Sequence, residues 1–326
     1  MNRRKRNGAG GQRKPAYYLI ASLVLFAAVY VTTMVVNNCS GTGEPTANKW
    51  GRVNADDSYV TGSSAEGTQS VNPLQAQKDY QMQEAPSEGL SQEVYENLEQ
   101  PAPLTKKPEV LLMKTAFIIS YNVETLCPNY VAWRLTPSRV KGRVQRKDEF
   151  GEDMVMSERT RVTTQDYAGS GYDRGHMCPA GDNKHEQRAM DESFLMTNIC
   201  PQNHDLNKGD WNELEQQCRQ WAADYGDLYI VCGPIFDSKS PARIGRRKGV
   251  RVSVPDRFFK VILSLGEQPK AIGFVYPNKA VSAEMRSYCV SVDEVEKLTG
   301  IDFYPQLPDD TERRLERTCN PAAWGI

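Results

Sequence analysis

The sequence has little histidine: His176, His185 and His204 are the only three in 326 residues. None of its eight cysteines forms a Cys-x-x-Cys pair, which argues against a structural zinc site. It also lacks a glycine-rich phosphate loop of the Walker type and any internal repeat, so P-loop nucleotide hydrolysis and solenoid folds are set aside. Mean hydropathy is -0.59, too low for a polytopic membrane protein. No sign of charge dominates either. The net charge is -1, and after residue 107 the chain has 29 Lys and Arg against 31 Asp and Glu. Nucleic-acid binding normally draws on a cationic excess, because phosphate contacts dominate the affinity. Any such surface here must be local, and Arg243, Arg246, Arg247, Lys248 and Arg251 form one candidate patch.

What is present divides the chain unevenly. Residues 17–36, YYLIASLVLFAAVYVTTMVV, carry no charge. Twenty residues at helical rise span ~30 Å, the thickness of a hydrocarbon core. Arg3, Arg4, Lys5, Arg6, Arg13 and Lys14 precede them without an acidic residue. That bias predicts a cytoplasmic tail at 1–16, a transmembrane signal anchor at 17–36 and a periplasmic or extracellular remainder, a single-pass membrane protein. A cleaved signal peptide is the rival, but Met34-Val35-Val36-Asn37-Asn38 is a poor cleavage site. Residues 37–107 are rich in Ser, Gly, Glu, Gln, Asn and Pro and poor in apolar periodicity. They read as a flexible polar linker, since they offer too little apolar surface to offset chain entropy. Residues 108–326 are the folded domain.

Inside that domain, strand-like runs mix with irregularly placed helices, which predicts α+β. Residues 110–121 read as one strand, with a partner at 130–135 across a turn carrying Pro128-Asn129. A further short strand is read at 142–146, a helix around 186–190 and a strand at 194–199. Asp210 is the expected N-cap of a helix to about residue 224. Trp211, Leu214, Cys218 and Trp221 recur on that helix at core-facing spacing. Strands follow at 228–232, 258–265 and 271–276, then a helix at 292–298 that Gly300 stops.

The chemistry concentrates in Asp173-Arg174-Gly175-His176, with Asn207 about thirty residues on and Glu215 eight beyond that. An imidazole titrates near neutrality and can take a proton from water. An Asn amide oxygen is a hard ligand that suits Mg²⁺, and a carboxylate can hold the ion or its waters. Arg174 and His176, two apart on a strand, face one side, where both can address one phosphate. Arg219, four residues after Glu215, shares its helix face. The bland reading is a satisfied histidine, a turn Asn, a solvated Glu and surface arginines in ion pairs.

Asp-Arg-Gly-His-Met-Cys-Pro-Ala (173–180), Thr-Asn-Ile-Cys-Pro-Gln (197–202) and Leu-Asn-Lys-Gly-Asp-Trp-Asn-Glu-Leu-Glu (206–215) together resemble the DNA/RNA non-specific endonuclease family. That family includes secreted bacterial non-specific nucleases and mitochondrial endonuclease G. The resemblance runs from about Glu109 to about Arg317. It implies a ββα-metal (His-Me finger) nuclease with a central antiparallel sheet and flanking helices, here preceded by the transmembrane helix and linker. It implies sequence-non-specific hydrolysis of DNA and RNA with Mg²⁺, for which Mn²⁺ can substitute. His176 is then the general base and Asn207 the direct metal ligand, with Glu215 reaching the metal through water. Arg174 and Asn198 complete the catalytic set, and Arg146, Arg174 and Arg219 bind substrate. The match is less secure for Arg146, and Asp173 is assigned to structure. His185 and His204 match no catalytic position. The family fold also suggests a Cys178–Cys200 disulfide, and it leaves a homodimer open; Cys289–Cys319 is a separate candidate pairing that the resemblance does not supply. Two rival readings stand beside this one: a catalytically idle, membrane-tethered nucleic-acid-binding module, and a phosphodiesterase for small diesters.

Overall fold

The computed structural model describes residues 97–326. The cytoplasmic tail, the signal anchor at 17–36 and most of the linker lie outside the described residues. Leu98, inside the segment read as linker, is fully buried among Tyr130, Ile301 and Phe303.

The centre is a seven-stranded antiparallel sheet. Its strands are β1 (Val110–Met113), β2 (Ile118–Asn122), β3 (Cys127–Leu135), β6 (Leu228–Ile235), β9 (Arg257–Ser264), β10 (Lys270–Pro277) and β11 (Cys289–Val290), and they lie side by side in that order. Alternate residues enter different cores. Ile230 and Cys232 pack with Trp211, Leu214, Cys218 and Trp221, whereas Val231 between them packs with Val292, Val295, Phe303 and Tyr304. Period-two alternation therefore buries both faces. This explains why the central strands read as continuous apolar runs rather than as alternating ones. Helix α4 (Asp210–Tyr225) covers one face; α5 (Val292–Thr299) and α6 (Asp309–Glu316) cover the other. Earlier lie three short helices, α1 (Pro137–Lys141), α2 (Gln187–Ser193) and α3 (His204–Lys208). Two short hairpin-like pairs stand apart from the sheet. One joins β4 (Asp173–His176) to β5 (Ile199–Gln202), the other β7 (Arg243–Ile244) to β8 (Val252–Ser253).

Several local expectations are corrected. Residues 110–121 form a hairpin, not one strand: Leu112 pairs with Ile119, and Lys114 N–H closes the turn on the Phe117 carbonyl at 3.0 Å. Pro128 and Asn129 lie within β3, and the turn falls at 123–126, where Leu126 takes φ 57. No strand forms at 142–146. The apolar run at 194–199 is mostly a 3₁₀ turn, Met196–Asn198, with β5 beginning only at Ile199. Gly209, not Asp210, caps α4. Gly300 stops α5 in the left-handed region, at φ 68.

The Cys178–Cys200 disulfide is also corrected. All seven cysteines among the described residues are free thiols. Cys200 lies opposite Gly175, three positions before Cys178. Cys178 lies past the end of β4 at His176, so the register does not set it across from Cys200. Cys200 instead meets the Cys127 thiol, and Cys178 accepts a hydrogen bond from Asn183 Nδ2 at 3.4 Å. Cys289 and Cys319 are neighbours but remain thiols.

Trp221 anchors α4. It is 1 % exposed, stacks on Phe274, meets Trp324 edge-on, and donates its indole N–H to the Trp324 carbonyl at 2.8 Å. Trp221→Ala is expected to cost about 3–5 kcal/mol through lost burial and the cavity left behind. Urea unfolding should show this as a lower midpoint with an unchanged slope.

Candidate active site

The site grows from the pairing of β4 with β5. Asp173 lies opposite Gln202, Gly175 opposite Cys200 and His176 opposite Ile199. A Cβ at Gly175 would stand 2.1 Å from Gln202 Oε1, so only glycine allows the strands to close in this register. With that spacing fixed, Arg174 and His176 both face a cavity of about 790 Å³. Arg146, Phe150, Asp173, Asn207 and Glu215 also line it. Asn207 is the penultimate residue of α3 and Glu215 lies just over one turn into α4, so the break at Gly209 brings together candidate ligands from two helices.

His176 is held between aromatic rings. Phe150 lies 5.2 Å and Phe194 4.9 Å from it between centroids, the latter edge-on. Its Nε2 is sealed from solvent and has no hydrogen-bond partner. Burial, then the positive charge of Arg146, lowers its pKa to about 3, with Asp148 opposing and Arg174 adding. The imidazole is therefore neutral at working pH, and its Nε2 is engaged by no neighbour.

Asp173 connects the motif to the metal-ligand candidate. Its Oδ2 accepts a hydrogen bond from Asn207 Nδ2 at 3.0 Å, and the same carboxylate meets His204 Nδ1 at 3.0 Å. With its NH₂ group engaged, Asn207 keeps its amide oxygen for a cation. Glu215 supplies the second hard donor. Burial pushes its pKa up to about 7, against the pull of the Lys260 charge, with Asp182 adding to the rise. An amide oxygen, a carboxylate and an open, polar cavity fit a hard divalent ion that keeps most of its waters.

The remaining residues are placed differently. Arg174 stacks on Phe150, its guanidinium carbon 4.2 Å from the ring centroid. Arg146 pairs with Asp148 at 2.6 Å and lies over Phe194. Arg219 does not line the cavity; its Nη1 donates to Asp182 at 3.0 Å, and its charge acts on Glu215 from there. Asn198 is fully buried and also outside the lining. Its Oδ1 accepts from Cys178 N–H at 2.9 Å, while its Nδ2 donates to the Cys178 and Ser193 carbonyls. It clasps the segment directly after His176. In the basic patch, Arg247 clamps Asp166 at 2.5 Å, tying its loop to the turn whose Thr164 and Gln165 line the cavity.

Two participants were missed in the sequence. Phe150 joins Arg174 to His176 but sits in a loop without periodicity. Lys260 is 1 % exposed, with Nζ 4.7 Å from the Trp211 ring and 5.5 Å from the Trp133 ring. A lone charge inside the apolar strand Arg-Phe-Phe-Lys-Val-Ile-Leu-Ser was the signal available for it.

The description "DNA/RNA non-specific endonuclease" matches residues 95–310. The chain belongs to that family. It is 35 % identical over 215 residues to a mitochondrial EXOG nuclease of Xenopus laevis, covering 62 % of this chain and 60 % of the relative. Human mitochondrial endonuclease G is 32 % identical over 211 residues, covering 60 % of this chain and 70 % of the relative. A Nostoc nuclease is 34 % identical over 218 residues, covering 63 % of this chain and 77 % of the relative. The chain thus spans about three fifths of the length of the EXOG nucleases it matches. Among solved structures, one titled as an EndoG/EndoGI complex aligns with TM-score 0.58 and 27 % identity. That alignment covers 63 % of this chain and 90 % of the other.

These relatives correct the location read from the sequence. Those whose names state a compartment are mitochondrial, which overturns the single-pass periplasmic or extracellular placement. A basic flank before an apolar run reports which side of a membrane the flank favours, not which membrane it is. No helix among the described residues is long and apolar enough to cross a membrane.

A divalent ion bound at Glu215 would have to displace the proton held there. Because the folded-state pKa is raised to about 7, the carboxylate is protonated below that pH and charged above it. Mn²⁺ affinity is therefore expected to rise through pH 7 and level off above it, with Glu215→Gln losing that slope. Calorimetric titrations between pH 6 and 8 check this; an unchanged slope in the variant overturns it.

Proposed function

We propose that this protein is a metal-dependent endonuclease that hydrolyses phosphodiester bonds of DNA and RNA without sequence preference. The observation that carries the reading is the neutral imidazole of His176 lining one cavity with Arg174, Asn207 and Glu215. Family membership and relatives named as nucleases support it.

In this reading His176 takes the proton of a water attacking phosphorus. Its burial keeps it neutral, and Phe150 and Phe194 hold its ring in one orientation. Arg174 and Arg146 bind non-bridging phosphate oxygens, for which a planar guanidinium is suited. Asn207 is the direct ligand of Mg²⁺ or Mn²⁺, and Glu215 holds the ion's waters. The bound ion supplies charge neutralisation at the leaving 3′-oxygen. Asp173 positions Asn207, Asn198 positions the His176 segment, and Arg219 acts on Glu215 electrostatically rather than by touching substrate. Phosphate and sugar contacts carry no base information, which accounts for indifference to sequence.

Cleavage of plasmid DNA and of RNA by the full chain, with Mg²⁺ or with a chelator, tests the reading. The expected result is metal-dependent cutting that falls by ~10²–10⁴ in His176→Ala and is also lost in Asn207→Ala. Full activity in His176→Ala would sink the base assignment. Polynucleotide binding without cutting favours an idle binding module, and turnover of small diesters alone favours the other rival.

Asp173→Ala separates positioning from chemistry. The Mg²⁺ concentration for half-maximal rate is expected to rise by roughly 10–100-fold, with the saturated rate less affected. A metal titration of the cleavage rate reads both.

A further inference from the structure

Far along the chain from the cleft residues, three carboxylates converge where α5 meets α6. Asp293 and Glu296 are three apart on α5 and so share a face. Glu316 ends α6. One oxygen from each lies within 4.8 Å of the others. Glu316 is 5 % exposed, and its Oε1 is out of solvent with no hydrogen-bond partner. Among the described residues, none of the three is in an ion pair. The other charges acting on Glu316 are Glu296, Glu312, Asp293 and Asp302, all acidic. Glu296 is fixed in place by the Phe303 N–H, which it accepts at 2.9 Å.

Such a cluster needs either shared protons or a cation, because buried like charges at this spacing repel strongly. A carboxyl–carboxylate pair sharing a proton closes to ~2.5–2.7 Å and satisfies both partners. Here Glu316 Oε1 is satisfied by nothing. Oxygens around a calcium ion at ~2.3–2.6 Å lie up to ~5 Å apart, a limit the three carboxylates respect. We propose that Asp293, Glu296 and Glu316 form a structural calcium site, separate from the catalytic cleft, that ties α6 to α5. The donors are all hard oxygens on two helices, and water completes the shell. The tie matters beyond its own helices, since the segment after α6 carries Trp324, which packs on Trp221 of α4.

The test is calorimetric melting of the full chain, stripped by chelator and then given Ca²⁺. At ~100 times Kd, Ca²⁺ is expected to raise the melting temperature by about 5 °C or more. The rise should persist in Asn207→Ala, which disables the catalytic metal position, and vanish in both Glu316→Gln and Glu296→Gln. Equilibrium dialysis with radioactive calcium should count one ion per Asn207→Ala chain and none once Glu316→Gln is added. A calcium shift that disappears in Asn207→Ala, or survives in Glu296→Gln and Glu316→Gln, overturns the site. So does an Asn207→Ala chain that binds no calcium. Asp293→Asn carries the same comparison should either glutamine variant fail to fold.

Discussion

The pairing of two four-residue strands, β4 and β5, is the constraint on which the candidate site depends. Its register decides three things together. Arg174 and His176 face one cavity, Gly175 passes under Gln202 where no side chain fits, and Asp173 reaches Asn207 and His204. A slip of one residue would turn His176 away from the cavity, because strand side chains alternate. Such short strands hold poorly alone. Here they are clamped from outside: Asn198 bonds the backbone of Cys178 on both its N–H and its carbonyl, and Asn278 donates to the Pro201 carbonyl.

Beneath that pair, the protein keeps charge where it is costly to keep. Lys260 is enclosed by Trp133 and Trp211, and Asp182 is buried with hydrogen bonds from Trp133 and Arg219. Buried charges are tolerated when paired or bonded, and removing one partner leaves the other exposed to the low-dielectric interior. Glu215 stands at the edge of this group, raised by burial and pulled down by Lys260 and Arg219. The result is a carboxylate near the balance between its two forms, which a divalent ion can tip. His176 follows the opposite rule: burial and Arg146 remove its proton altogether. One cavity thus holds a group that stays neutral and a group that is ready to ionise.

Much of this was legible in the sequence, and the reasons are specific. Trp211, Leu214, Cys218 and Trp221 announce α4 by spacing, and all four are 1 % exposed or less. His176, Asn207, Glu215, Arg174 and Arg146 do share one cavity. The failures fall where local signals are silent or ambiguous. Residues 110–121 carry no Gly, Pro, Asn or Asp, so only Lys114-Thr115 marks the turn that Lys114 and Phe117 close by backbone bonding. Cys178 and Cys200 sit on neighbouring segments, but sequence does not give the stagger that separates them. Arg219, read as binding substrate, lies outside the cavity lining against Asp182, and Asn198, read as orienting the site, bonds the Cys178 backbone. Phe150 and Lys260 make their contacts only through the tertiary fold.

Near-neutral total charge also acquires a physical explanation. The domain's surface cations are matched in number by its acidic groups, so no cationic excess covers it. It concentrates Arg146 and Arg174 at the cavity, each stacked on an aromatic ring that removes some of its freedom. Stacking orients a guanidinium before any phosphate arrives, which reduces the entropy lost on binding. Arg247 is not free to add to this pair, since Asp166 occupies its guanidinium; its role is to fix the basic loop against the cavity wall. In the proposed reading, attraction for a polyanion rests on few, pre-oriented charges beside the candidate cation position. An arrangement of that kind gains its selectivity for the phosphodiester group itself, and it has no means of reading the bases attached to it.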